Sequence, residues 1–475
     1  MTTTPSICPF GAGFDFTDPD VLQRGMPVAE FAELRKTAPV WWNAQPSDAN
    51  IFDDGGYWVI SRHRDIKEIS RDNELWSASR NGVVMRFPDG ATVEQLELTK
   101  ALLFNHDPPE HTRLRKLVSP LFTPRAVASL EQKLASAAHD IVRAAAEKAT
   151  GNFVDDIAMR LPLLAIADLI GVPQADCERL YAWTNTILNT DDPDFDSDPI
   201  TAHAELMGYA YTMAEQRRRC PADDIVTKLV QADIDGESLG ETEFAFFVIL
   251  LAVAGNETTR NAITHGINAF SEHPDQWELY KHQRPDTAVD EMIRWATPAH
   301  CFQRTARADV EVGGVTIRKG QRAGLFYSSA NFDEHVFERP LEFDILRSPN
   351  PHLAFGGNGA HYCIGANLAR MEIELIFNEI ANQLPKITKL AEPQRLRSGL
   401  VKRHQERAGL LPWLAIWESG VRTRRWSGAI TVTNHASWAA RVPEGTIIGG
   451  PDQRSRYLDL RCYAVVAPRN MSTRL

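Results

Sequence analysis

The segment Phe355-Gly-Gly-Asn-Gly-Ala-His-Tyr-Cys363-Ile-Gly365-Ala constrains this chain more than any other. Its glycines let a loop turn tightly beneath a flat ligand. After Gly365, the apolar residues Leu368, Met371, Ile373, Leu375, Ile376 and Phe377 recur at helical spacing. Cys363 therefore opens a helix, where unpaired N–H groups and the helix dipole favour a thiolate. A lone buried Cys is usually a small apolar core residue. That reading suits Cys8, Cys177, Cys220, Cys301 and Cys462, which form no CxxC pair and so indicate neither a disulfide framework nor a zinc site.

A second motif, Ala254-Gly255-Asn256-Glu257-Thr258-Thr259, lies inside a long apolar helical stretch, 241–270. Gly255 removes a side chain beside a ligand. An acid followed by an alcohol suits proton delivery to dioxygen: Thr258 supplies a hydroxyl at the site, and Glu257 relays protons from water. Glu291 and Arg294, three apart, share a helix face and predict an ion pair. His111 and Arg115 follow Pro108-Pro109 at i,i+4 on one face of a new helix.

Helical spacing also marks 126–148, 203–219 and 364–384, and helices dominate from about residue 110 onward. Strand-like pieces are short: Tyr57–Ile60, Val310–Ile317 and Arg322–Tyr327, with turns at Gly313-Gly314 and Lys319-Gly320. The expected fold is mainly α with a small β-sheet. A net charge of −11 argues against a nucleic-acid surface. The longest apolar run, Phe244 to Ala254, is too short for a membrane span, which needs about 20 residues. The N-terminal MTTTPSICPF has no basic start and no apolar core, so a cytoplasmic setting is expected.

Together the two motifs and their spacing resemble the cytochrome P450 family over residues 14–399. The resemblance implies haem b (iron protoporphyrin IX), with Cys363 as the iron ligand. A thiolate ligand pushes electron density onto haem iron and promotes O–O cleavage. Phe355 would shield the sulfur, although it stands one residue further from Cys363 than in the commonest form of the motif, and Gly365 would complete the loop. His111, Arg115, Arg304 and His361 would hold the haem propionates, and Glu291 with Arg294 would tie a helix to the loop before Cys363. The likeness is strongest to bacterial steroid C26-monooxygenases, carried by NGVVMRFPDG (81–90), LLAVAGNETTRNA (250–262), HCFQRTA (300–306) and HLAFGGNGAHYCIGANLARMEI (352–373). By position, Val83, Val84, Met85 and Phe87 would roof a substrate pocket, Val253 and Ala254 would line it, and Phe302 would flank it. Residue physics alone says only that the substrate is large and apolar. The resemblance implies a monooxygenase acting on the terminal side-chain methyl of cholesterol or cholest-4-en-3-one. Electrons would come from NAD(P)H through a ferredoxin reductase and a ferredoxin, since the chain has no flavin or Fe–S motif. Hydroxylation of methyl-branched fatty acids is the alternative substrate class. A haem-binding protein impaired by its C-terminus is the alternative outside catalysis.

That C-terminus departs from the rest. Residues 400–475 hold twelve Lys and Arg against five Asp and Glu, and four of the eleven Trp. They have little periodicity. The string LVKRHQERAGLLP (400–412) is compatible with codons that, read one base later, encode WLNGIKNVPVSY, a terminus of the kind this subfamily carries. Two segments are therefore expected, a P450 domain over 1–399 and an atypical tail over 400–475, read as an out-of-frame translation, with a genuine extra domain as the alternative. Such a tail would replace the last strand and one loop of the pocket.

Overall fold

A computed structural model describes residues 10, 13–46, 51–87, 91–148, 150–188, 198–222, 225–231, 239–393, 395, 397–398 and 412–414. The helices that position the site are α1 (His63–Arg71), α2 (Glu110–Val118), α3 (Glu131–Lys148), α4 (Arg160–Ile170), α5 (Cys177–Leu188), α6 (Pro199–Arg219), α7 (Glu241–Glu272), α8 (Ala288–Ala296) and α9 (Ala366–Gln383). The strands are β1 (Val40–Ala44), β2 (Gly56–Ile60), β3 (Trp76–Ser77), β4 (Thr150–Asn152), β5 (Cys301–Ala306), β6 (Val310–Val312), β7 (Val315–Ile317), β8 (Arg322–Phe326), β9 (Thr388–Lys389) and β10 (Pro412–Leu414).

Helix α7 is the axis of the helical half. Its start is capped from one side, Glu243 Oε2 accepting the Gly240 N–H at 2.8 Å. Apolar residues surround it on nearly every side, so it is a buried core helix rather than a surface one. It packs against α4, α6, α8 and α9. Two of its glycines permit that closeness. A Cβ on Gly255 would sit 2.4 Å from Ile166 Cδ1 of α4, and one on Gly266 would sit 2.8 Å from Phe377 Cζ of α9. Gly255 was expected to clear space beside a ligand; the neighbour it makes room for is instead a core isoleucine.

The larger sheet has strand order β1-β2-β8-β5-β3, with β2 and β8 parallel and the other pairs antiparallel. Its apolar side chains join a second core around Ile60, Ile66, Leu325 and Tyr327. The 310–317 region folds as the hairpin β6–β7, turning at Gly313 and Gly314 with φ of 57° and 80°. Two successive positive φ values define the turn that matches strand twist, which is why a Gly pair stands there.

The expected helices are present with shifted ends. The 126–148 stretch is interrupted after Ala128 and resumes at Glu131, and 203–219 begins four residues earlier, at Pro199, behind an Asp198 cap. Helices also occur before residue 110, at Pro19–Arg24, Val28–Thr37, His63–Arg71 and Val93–Thr99, where short amphipathic repeats are weak sequence signals. The 400–475 tail lies outside the described residues except for β10, which pairs antiparallel with β4 and β9. The central position of that three-stranded sheet is therefore taken by Pro412–Leu414.

One buried charge stands out in the core. Glu372 of α9 is buried, and its Oε2 has no hydrogen-bond partner among the described residues. Burial alone pushes its carboxyl up to about 8, so it is held neutral at pH 7. A carboxyl raised in the folded state binds its proton more tightly than in the unfolded chain. It thus contributes most below pH 4.5, and that contribution fades as pH climbs toward 8. Glu372→Gln should match the native protein's stability near pH 4.5 and exceed it at pH 7.5. The gap should open by up to about 1.4 kcal/mol per pH unit, read from urea unfolding of the two proteins at both pH values.

Candidate active site

The Cys363 loop is built against α1. Cys363 N–H donates to Phe355 O at 2.9 Å, closing the loop on itself. Gly356 takes φ of 96°, a left-handed conformation that side chains resist. A Cβ on Gly357 would lie 2.3 Å from Ser70 Oγ, and one on Gly359 would lie 1.7 Å from Ser70 O. These two glycines were expected to serve a flat ligand. They serve the close approach of the loop to the end of α1. Phe355 lies under the Arg370 guanidinium, 4.6 Å from ring centroid to Cζ, and its ring meets Tyr362 edge-on at 6.3 Å. Gly365 caps α9.

The Cys363 side chain is exposed, at the mouth of a protein-walled recess. Those walls push its thiol up, and they outweigh the Gly365 N–H and the Arg115 and Arg370 charges that pull it down. The helix terminus favours the thiolate, as expected, without outweighing burial; metal coordination would deprotonate the sulfur outright. Ala254, on α7, is the single exposed residue between Glu243 and Phe270. Val253 and Thr258 are partly exposed beside it. One turn of an otherwise buried helix is thus left open.

Four basic side chains gather near Cys363. His111 and His361 stack with centroids 4.2 Å apart. Arg115 Nη2 donates to Tyr362 O at 2.7 Å, and Arg304 Nη1 donates to Gln303 O at 2.7 Å. Burial first, and then the neighbouring arginine charges, lower His111 to about 4 and His361 to about 2. Both nitrogens of His361, and Nδ1 of His111, are buried without partners among the described residues. The nearest carboxylate, Asp107, is spent on Ser77 Oγ and Ser79 Oγ at 2.6 Å each, Ala78 N at 2.7 Å and Arg307 Nη2 at 2.7 Å. Desolvated cations and orphaned imidazole nitrogens without a carboxylate of their own fit an anionic group brought in from outside. The two propionates of haem answer that need, and an open thiol nearby answers the iron.

The acid and the alcohol of α7 are separated by their bonds. Thr258 Oγ1 donates to Ala254 O at 2.7 Å, which keeps the hydroxyl on the open turn. Glu257 is buried, paired with Arg260 one turn on, and accepts Asn261 Nδ2 at 2.9 Å. Arg260 Nη1 also reaches Asn185 Oδ1 of α5 at 3.3 Å. Sequence spacing placed Glu257 as a water-fed relay; in this structure its carboxylate is committed to Arg260 and Asn261.

The expected pocket residues divide by burial. Val84, Phe87, Val253 and Phe302 are partly exposed, and Ala254 fully so. Phe302 stacks on Phe104 at 6.3 Å. Val83 and Met85, by contrast, are 2% and 1% exposed. Val83 N–H donates to Asn105 Oδ1 at 2.8 Å, and Met85 fills the space above Gly324, where a Cβ would stand 2.6 Å from its Cε. Those two belong to the wall's interior.

Glu291 and Arg294 form a bidentate pair at 2.8 Å on each arm, both 0% exposed. Arg347 Nε adds a second cation to Glu291 at 3.0 Å. Asp344 N and Asn350 Nδ2 donate to the same carboxylate at 3.0 and 3.1 Å. The remaining guanidinium N–H groups of Arg294 go to the carbonyls of Asn331, Pro340 and Glu342. The sequence suggested the Glu291–Arg294 pair. Arg347, Arg370 and Gln303 were missed, since each acts across a long sequence separation that no local spacing announces; Arg260 was missed although it stands only three residues from Glu257.

A cysteine opening a helix, a basic cluster without its own anion and an opened turn on a buried helix define the class of haem-thiolate proteins. A cytochrome P450 family model matches residues 286–383. The steroid C26-monooxygenase of Rhodococcus jostii strain RHA1 is 59% identical over 387 residues, covering 82% of each chain. A methyl-branched lipid omega-hydroxylase of Mycobacterium tuberculosis strain H37Rv is 40% identical over 381 residues, covering 78% of this chain and 88% of that one. The Mycobacterium marinum cytochrome P450 CYP268A2, solved in complex with pseudoionone, superposes with a TM-score of 0.78 at 37% identity, covering 86% of this chain and all of that one. This chain belongs to the cytochrome P450 family, and it is a haem-dependent monooxygenase.

Breaking the buried pair should be costly. Arg294→Ala leaves the fully buried Glu291 with one fewer charge partner, a loss of about 3–5 kcal/mol. The measurable result is a lower melting temperature and a smaller fraction of purified protein carrying haem, read from the ratio of Soret to protein absorbance.

Proposed function

We propose that this monooxygenase hydroxylates the terminal side-chain methyl of a sterol, cholesterol or cholest-4-en-3-one. It would use O2 and two electrons passed from NAD(P)H by a ferredoxin reductase and a ferredoxin, in the cytoplasm. The observation that carries the substrate is the 59% identity, over most of both chains, to a protein named steroid C26-monooxygenase. Among the described residues no helix is long and apolar enough to cross a membrane.

Bound haem supplies the reductive splitting of dioxygen and the insertion of one oxygen atom into a C–H bond. The chain's own groups do the rest. Cys363 holds the iron, with Phe355 and Gly365 shaping the loop around the sulfur. His111, Arg115, Arg304 and His361 grip the propionates, the arginines best because their forks match a carboxylate. Val84, Phe87, Val253, Ala254 and Phe302 enclose an apolar substrate and exclude water. Each sterol CH₂ they bury contributes about 0.8 kcal/mol. Thr258 keeps a hydroxyl proton at the open turn. Glu257 passes protons to it only by exchanging Arg260 and Asn261 for water, so the relay includes a side-chain rearrangement.

Two experiments test this reading. Titration of the ferric protein with cholest-4-en-3-one should shift the Soret band toward high spin, and turnover with supplied electrons should give the terminal alcohol. A spin shift with methyl-branched fatty acids and none with the sterol would overturn the substrate assignment. Cys363→Ser should abolish the thiolate-type absorption of the reduced carbon monoxide complex, and its persistence would falsify the ligand assignment.

Residues 400–475 we read as an out-of-frame terminus appended to the P450 domain. The composition and the alternative frame at 400–412 support this. The base sequence around Leu400 should match the codons that encode WLNGIKNVPVSY one base later. Codons incompatible with that string rule the reading out.

A further inference from the structure

Strand β5 sends three consecutive side chains to three destinations. Phe302 stands at the pocket and Arg304 in the basic cluster. Gln303, on the opposite face of the strand, is 0% exposed. Its backbone N–H donates to Val83 O at 2.8 Å. Its side-chain Nε2 lies 3.2 Å from Asn81 O, 3.3 Å from Gly82 O and 3.0 Å from Val84 O. Its Oε1 accepts Arg322 Nη1 at 3.2 Å. The amide's orientation is forced: the carbonyls need a donor, and a guanidinium can only donate.

Arg322 anchors this amide from behind. It is buried, and its Nη2 donates to Asp54 Oδ1 at 2.8 Å. Phe52 lies against its guanidinium at 4.1 Å and meets Phe87 edge-on at 6.1 Å. The 81–87 segment has no helix or strand of its own to satisfy its backbone. From the far side Asn105 Oδ1 accepts Val83 N–H at 2.8 Å, and on β5 itself Thr305 Oγ1 accepts Asn81 Nδ2 at 3.2 Å.

We infer that Gln303 is a positioning residue: its amide nitrogen latches the 81–87 segment onto β5 and thereby places Val84 and Phe87 over the cleft, fixing which carbon of the substrate stands at the reactive position. The steroid reading above supplies the ligand for one arm of the test, whereas the latch itself is independent of it.

The holoprotein variants Gln303→Glu and Gln303→Met separate the donor from bulk. Both keep the side-chain length. The carboxylate keeps an acceptor for Arg322 and turns an oxygen toward the carbonyls, and the thioether is neutral and lacks the donor. Each variant should retain the native reduced carbon monoxide spectrum. Imidazole, which needs only access to the iron, should bind within about twofold of native. Cholest-4-en-3-one should bind about tenfold or more weakly, and hydroxylation should spread beyond the terminal methyl. Amide hydrogen exchange across 83–87 should accelerate in both variants.

Unchanged exchange across 83–87 overturns the latch, whatever the sterol does. Near-native sterol binding and product in Gln303→Glu also overturn it, because volume and the Arg322 bond would then suffice. Loss of haem from both variants would make Gln303 a plain structural residue and overturn the positioning role. Native protein that ignores the sterol, with exchange still faster in the variants, overturns the substrate assignment and leaves the latch standing.

Discussion

The Glu291 carboxylate is the constraint on which the rest of the site hangs. It is fully buried and takes donors from Arg294, Arg347, Asp344 N and Asn350. A charge in that position is tolerable only because every lone pair has a partner. Its partners lie on α8 and on the 344–350 stretch, so one carboxylate fixes the chain leading into the Cys363 loop. Next to it, Asp290 takes Arg370 Nε at 2.7 Å and His352 Nε2 at 3.2 Å. Arg370 in turn covers Phe355, whose carbonyl holds Cys363 N–H. Two neighbouring acids on one short helix thus grip the loop before the cysteine and the helix after it. Asn331 links the same parts again, giving its carbonyl to Arg294 and its Oδ1 to Leu353 N–H.

Rigidity on the cysteine side contrasts with the arrangement on α7. There Thr258 Oγ1 adds a bond to Ala254 O on the open turn of the helix. A hydroxyl that bonds back into its own helix loosens the local ladder. The acid beside it is locked by Arg260, which also reaches α5 through Asn185. In the proposed relay, proton supply to the cleft would therefore depend on how α5 sits on α7. The thiolate side is a fixed scaffold, and the opposite side carries the groups that have to move.

Legibility in the sequence follows the range of the interaction. The Cys363 loop, the long α7, the Gly313-Gly314 turn and the Glu291–Arg294 pair were readable, because each is written within a few residues. The 83–87 side-chain directions were not, because an irregular segment has no period from which to choose a face; Val83 and Met85 turned inward. The glycines were recognised as sites of close approach, but Ile166 and Ser70, which do the approaching, lie 89 and 287 residues from Gly255 and Gly357. Glu257 was read beside Thr258, whereas its partner is Arg260, one turn further on. Strand β5 was missed because it is buried on both faces and mixes polar with apolar residues, so the alternation that marks a half-buried strand is absent.

That same strand explains why the pocket and the cofactor seat need not vary independently. In β5, Phe302 pairs with Leu325, Gln303 with Gly324 and Arg304 with Ala323 across β8. The partner at the Gln303 level is a glycine, and Met85 of the roof segment occupies the space its missing side chain leaves. Arg322 of β8 then reaches back to Gln303 from two register positions along, opposite Thr305. A shift of one residue between β5 and β8 would move Arg304 off the basic cluster and Gln303 off the roof together, because both are set by a single register with a side-chain period of two. The pleat of one strand pair thus fixes, in one geometric choice, the places of Arg304, which would hold a cofactor propionate, and of Gln303, which bonds the 81–84 carbonyls.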